Sequence, residues 1–175
     1  MKEKHILIVA IILLLLISYY SLFEYGSSSK QQEKRPGPPL FALIPAEVNK
    51  VEIKNSNGQE FIAKREGRRW VLVKGNQVEQ WESKIKDFIV GLLMLVEIDR
   101  FKVENSQLKN YGLENPSYQI TLTDITDKTY QLQVGNTNPV GTSVYVKFTE
   151  SPEVIIAGAL LNWEISKVIS LLSSS

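Results

Sequence analysis

Residues 6–23 read ILIVAIILLLLISYYSLF, eighteen consecutive residues without a charge. At about 1.5 Å per residue a helix of this length reaches roughly 27 Å, close to the ~30 Å hydrocarbon thickness of a bilayer. Tyr19, Tyr20 and Tyr25 gather at the far end, where interfacial aromatics belong, and Lys2 and Lys4 flank the near end. The spacing predicts one transmembrane helix within residues 1–25. The positive flank places the N-terminus inside and the rest of the chain on the extracytoplasmic side of a cytoplasmic membrane. A cleaved signal peptide is the competing reading, and small residues at 26–29 allow it, although no Ala-x-Ala site is present. Both readings export the C-terminal residues.

Residues 26–39, GSSSKQQEKRPGPP, are polar and then proline-rich, as in a linker that is flexible first and extended later. Lys34 and Arg35 in it suit lipid headgroups or plain solvation. The remaining residues, 40–175, form one domain of ordinary size.

Charge and residue types exclude several function classes. The formal net charge is +1, and residues 1–35 carry five basic against three acidic side chains, leaving the domain near neutrality. Nucleic-acid binders carry a basic excess, so no nucleic-acid partner is expected. The chain has no cysteine, and its one histidine, His5, precedes the apolar run. A disulfide framework, thiolate chemistry, imidazole general bases and nearly all zinc sites are therefore excluded from the domain. We expect no catalytic site, no cofactor and no metal centre.

Hydrophobic period then sets the elements. Val51 and Ile53 alternate with Glu52 and Lys54, the Asn57-Gly58 turn reverses the chain, and residues 61–64 return. A turn at 66–68 leads to a third, more buried strand at 70–73. Trp81, Ile85, Phe88, Ile89, Leu92, Leu93 and Val96 form one helical stripe, with Gly91 expected to allow close packing on the sheet. Residues 105–112 predict one short helical turn ended by Gly112. Alternation resumes at Tyr118, Ile120 and Leu122, then at Tyr130, Leu132 and Val134, then at Val144, Val146 and Phe148. A short strand at 154–156 precedes a helix carrying Leu161, Ile165, Val168, Ile169 and Leu172. The expected fold class is α+β: antiparallel β meanders each closed by a helix, a β-β-β-α pattern used twice, in similar halves at about 40–98 and 117–175.

Candidate chemistry is sparse. Arg65, Arg68 and Arg69 beside Trp70 suit a partner carboxylate or an anion, or simply a solvated turn. Asp124 and Asp127 sit among threonines, where turn formation accounts for them better than calcium. The loop 135–141 lacks the Gly-Lys-Ser/Thr ending of a phosphate loop. Glu97 and Asp99 share one face of an extended segment, with nothing to place them in a cleft. Tyr111 reads as a core or hinge residue, and Trp81 and Trp163 as packing residues.

The segments NYGLENP at 110–116, YQITLTD at 118–124 and YQLQVGNTNPVGTSVYVK at 130–147 resemble the bacterial envelope family filed as domain of unknown function 4340. Residues 47–74 are similar to its opening strands. The resemblance implies an N-terminal hydrophobic segment and an accessory, non-catalytic interaction role in a larger envelope membrane complex, with association to an ABC transporter. It supplies no catalytic residues. An extracytoplasmic ligand- or lipid-binding module is the alternative. The motif residues Tyr111, Gly112, Leu113, Pro116, Gly135, Gly141 and Tyr145 are expected to be structural.

Overall fold

Alternation of apolar and polar side chains commits eight segments to strands, most of them buried on one face. The computed structural model describes residues 11–19 and 37–172. It contains β1 (Val48–Asn55), β2 (Glu60–Glu66), β3 (Arg69–Lys74), α1 (Trp81–Leu93), β4 (Glu97–Lys102), a 3-10 helix (Asn105–Tyr111), β5 (Tyr118–Asp124), β6 (Thr129–Thr137), β7 (Ser143–Phe148), β8 (Glu153–Gly158), α2 (Leu160–Val168) and a last 3-10 turn (Ile169–Leu171).

All eight strands join one antiparallel sheet in the order β3-β2-β1-β5-β6-β7-β8-β4. The α+β class therefore holds, whereas the doubled β-β-β-α pattern does not. The first meander has three strands and the second has four, and β4 follows α1 to pair with β8 at the far edge. The meanders do not close separately because their first strands pair with each other. Val51 lies opposite Leu122 and Ile53 opposite Ile120, so one apolar stripe runs through the join.

The core lies between one sheet face and the two helices. Phe61, Ile53, Ile120, Leu132, Val146 and Ile155 meet Ile85, Phe88, Leu92, Leu161 and Val168, all essentially inaccessible to solvent. The helices run antiparallel, since the Lys84 ammonium lies 3.4 Å from the Ser170 hydroxyl while Gly91 abuts Glu164. Three expectations are corrected here. The strand at 70–73 is the sheet edge, with only Trp70 fully buried and Val73 exposed. Val96 lies beyond α1, bridged to Pro39. β6 continues to Thr137, with a register shift after Val134, so Gly135 belongs to the strand.

Residues Met1–Arg35 and Pro36–Ser175 form two separate units. In the first, residues 11–19 are helical with exposed side chains. Among the described residues, no helix is long and apolar enough to cross a membrane. The expected span over 6–23 extends past this helix on both sides, outside the described residues, as do linker positions 26–36. The rest of that linker is not a free tether. Glu97 donates its backbone N–H to the Pro38 carbonyl at 2.9 Å, Leu40 donates to the Leu95 carbonyl at 2.8 Å, and Leu40 and Phe41 are buried. Residues 37–39 thus belong to the domain and cover the start of the β4 edge.

Candidate functional site

The motif residues meet on the sheet face opposite the helices. The 3-10 helix begins at a reciprocal capping box, in which Glu104 and Gln107 each accept from the other's backbone N–H. It ends at Gly112, whose φ of 70° lies in the left-handed region. There the chain presses onto β6: a Cβ on Gly135 would lie 2.2 Å from the Tyr111 carbonyl oxygen, and one on Gly112 would lie 2.3 Å from the Asn136 amide oxygen. The Tyr111 ring stands between Phe101 of β4 and Tyr145 of β7, with centroids 5.4 Å and 4.9 Å away in edge-on geometry. Leu113 is buried beneath, apart from the main core. Tyr111, Gly112, Leu113, Gly135 and Tyr145 are therefore one packing unit that clamps the crossover between meanders. Pro116 ends this crossover before β5, and Gly141 sits apart in an open loop at φ 76°.

The three arginines have different surroundings. Arg65 donates to the Ala46 carbonyl at 2.9 Å and lies 5.5 Å from the Trp70 ring centroid. Its Nε and the Trp70 indole N–H are buried without a partner among the described residues. Arg68 is exposed in the β2–β3 turn. Arg69 lies within electrostatic reach of Glu82, whose carboxylate also accepts the Trp70 backbone N–H at 3.3 Å and binds Lys86 at 2.8 Å. The Lys86 ammonium and this backbone donor hold the Glu82 carboxyl below its usual range.

Asp124, Glu97 and Glu164 are committed to local structure. Asp124 Oδ1 accepts from Thr126 N at 2.7 Å, Thr126 Oγ1 at 2.6 Å and Lys128 N at 3.1 Å, a side-chain turn that leaves Asp127 at φ 64°. The Thr126 hydroxyl and these backbone donors depress the Asp124 pKa. Glu97, nearly buried, pairs with Arg100, which also reaches Glu153 at 2.9 Å. The two carboxylates raise the Arg100 pKa. A bulge between Glu97 and Asp99 removes the expected shared face, and Asp99 instead accepts from the Arg100 backbone N–H at 2.8 Å. Sequence patterning missed the buried Glu164 of α2, whose carboxylate oxygens both take the Lys167 ammonium at 2.8 Å. Its signal was the intrahelical Glu-x-x-Lys spacing opposite a mid-helix glycine. Trp163 is largely exposed, contrary to its expected packing role, while Trp81 packs on Phe61 at 6.3 Å between centroids.

What remains open is the polar sheet face. A shallow cavity of about 500 Å³ there is lined by Glu52, Thr121, Gln131, Tyr130, Thr149 and Glu150, and a neighbouring one of about 200 Å³ by Lys54, Glu60 and Gln119. Glu60 ties Lys54 and Lys74 at 3.0 and 2.7 Å, and these ammoniums lower its pKa. Among the described residues, no group of three acidic or imidazole side chains is placed to hold a metal ion.

Fold and motif together define an α+β domain built on one antiparallel sheet, with its crossover locked by a Tyr-Gly-Leu element. The chain belongs to the family described as Domain of unknown function (DUF4340), whose profile matches residues 70–166, from β3 into α2. The expected similarity over 47–69 lies outside that match. No curated protein and no solved structure matches the chain.

Proposed function

We propose that the chain is a non-catalytic, membrane-anchored accessory module that holds its domain on the extracytoplasmic side of the cytoplasmic membrane for contact with a larger complex of ABC-transporter type. In this reading residues 6–23 form a single-pass helix with the N-terminus inside. The observation that carries it is the pairing of an uncharged eighteen-residue apolar run with a domain whose buried or turn-held acids are engaged in local contacts. Ion pairs and turns that consume these groups stabilise a scaffold and leave recognition to its surface. The supporting experiment is affinity capture of the full chain from native membranes in mild detergent. A membrane complex should co-purify, and removal of residues 40–175 should abolish that contact. Elution of the chain as a monomer at every protein level would overturn the reading. Arg68→Glu, at an exposed turn, is expected to weaken the contact without altering stability if this turn faces the partner.

A ligand-binding module is the second reading. The cavity of about 500 Å³ beside Glu52, Thr121 and Gln131 favours it, since hydroxyl, amide and carboxylate groups converge there. Ligand-induced shifts of these amide resonances would support it.

A further inference from the structure

We infer that the end of the domain at which the tether joins is a lipid-contact surface, resting on the interfacial layer of the bilayer. The inference rests on the anchoring of residues 6–23 proposed above.

The strand registers bring four segments together on the β6–β4 half of this end. Glu97 pairs with Ala157, which sets the passage from α1 to β4 beside the passage from β8 to α2. Ser143 pairs with Gly158 and the Ala159 N–H donates to the Thr142 carbonyl, adding the loop between β6 and β7. The tether joins at the same place, through Pro38 to Glu97 and Leu40 to Leu95. From these segments Met94, Val140, Leu160 and Trp163 project, each more than half exposed.

Charge is distributed accordingly. Residues 90–96 (VGLLMLV), 135–143 (GNTNPVGTS) and 157–163 (AGALLNW) contain no charged side chain. At the opposite strand ends the turns are charged: Glu66, Arg68 and Arg69; Asp124, Asp127 and Lys128; Glu150 and Glu153. At the same end Lys54, Glu60, Lys74 and Glu114 lie towards β1–β3 or in the crossover, so the uncharged patch spans the β6, β7, β8 and β4 half, and a patch entering a headgroup layer must avoid desolvating charge. Trp163, with the Lys167 ammonium 5.9 Å from its ring centroid, is the amphipathic aromatic that interfaces favour.

Tether length keeps the bilayer within reach of this end, and the uncharged patch selects lipid as the occupant. Thirteen residues, 24–36, separate the apolar run from the docked Gly37. Even fully extended, a chain of that length reaches no more than about 45 Å. Lys34 and Arg35, next to the docking point, add attraction to anionic headgroups.

The absence of native cysteine makes the test direct. Single variants M94C, V140C and L160C of the full chain, with I125C in the charged β5–β6 turn as the control, are labelled with an environment-sensitive fluorophore. Each is reconstituted in vesicles of phosphatidylethanolamine and phosphatidylglycerol, with or without headgroup-proximal nitroxide lipid. Labels at 94, 140 and 160 should shift to the blue and lose most of their emission to the nitroxide lipid, while the label at 125 should stay water-like. Flotation of the same vesicles separates the two readings. If the chain fails to float, the anchoring reading fails and this one with it. If it floats and all four labels are water-like, anchoring stands and the lipid contact is overturned. Labels shielded from aqueous iodide yet insensitive to nitroxide lipid would also overturn it, by assigning the surface to a protein.

Discussion

Gly91 of α1 lies directly under the carboxylate of Glu164 on α2: a Cβ built on the glycine would stand 2.2 Å from Glu164 Cδ. The close approach is therefore between helices, not between α1 and the sheet. It lets a buried carboxylate keep both oxygens on Lys167. Helix propensity alone favours Gly91→Ala by about 1 kcal/mol. The Glu164 carboxylate ends a flexible side chain, but it is buried and tied to Lys167, so moving it aside gives up that pair and the overpacking cost of about 1–3 kcal/mol should win. Gly91→Ala is thus expected to destabilise the domain in urea unfolding, and the same change in a Glu164→Ala background to be neutral or stabilising. Equal effects in the two backgrounds would show that the glycine answers to something other than Glu164.

Asp124 makes stability depend on acid. Its folded-state pKa lies below the ordinary value of 3.8, chiefly through the Thr126 hydroxyl. A depressed carboxylate contributes stability that is fully present above the unfolded-state value and is lost as pH falls through the folded-state one. Glu60 and Glu82 act in the same direction. Melting temperature should therefore fall on acidification below about pH 4. Asp124→Asn should be less stable at neutral pH and show a shallower acid slope, and parallel slopes in a pH series of thermal melts would refute the assignment.

The motif residues are predicted to act through packing. A methyl group on Gly135 would press on the Tyr111 carbonyl, so Gly135→Ala should cost about 1–3 kcal/mol. Tyr111→Ala loses two edge-on ring contacts, worth about 0.5–1.5 kcal/mol each beyond area burial. Tyr111→Phe keeps both rings in contact and should be nearly neutral. Guanidinium unfolding of the three variants decides this; a Phe variant as unstable as the Ala one would shift the role to the hydroxyl.

These contacts mark where the sequence was readable. Strand alternation follows from burial on one face, so Ile53, Ile120 and Leu132 declared their strands and their side of the sheet. Gly58, after Asn57, and Gly112 declared their turns because few residues tolerate their positive φ. Pairing across the sheet was not legible: nothing local in Val51 or Leu122 states that β1 and β5 join, or that β4 leaves its own meander for β8. The same holds at the candidate surface. Met94 and Leu160 stand beside the apolar stripes of their helices without belonging to them, and only the Glu97–Ala157 register brings their segments together. For the arginines, adjacency at 65–69 did not state the hairpin register, which sets Arg65 opposite Trp70 and Arg69 opposite Glu66.

Gly37 shows that the docked tether is part of the fold. A Cβ there would fall 1.7 Å from the Glu97 carbonyl oxygen, contact that only glycine permits without displacing backbone. Pro38 and Pro39, which follow it, lack N–H groups, so the segment covers the β4 edge while offering further strands few donors of its own. Gly37→Val should lift residues 37–40 from β4. Two amides report on it: Leu40, donating to Leu95, and Glu97, donating to Pro38. Both should exchange with solvent faster in the variant, by about tenfold for each 1.4 kcal/mol of lost docking. The Ile120 and Leu132 amides, central in the sheet, should be unchanged. Uniform acceleration at all four positions would mean that the strap supports the whole domain and not this edge. No acceleration at Leu40 and Glu97 would mean that the docking is not maintained in solution.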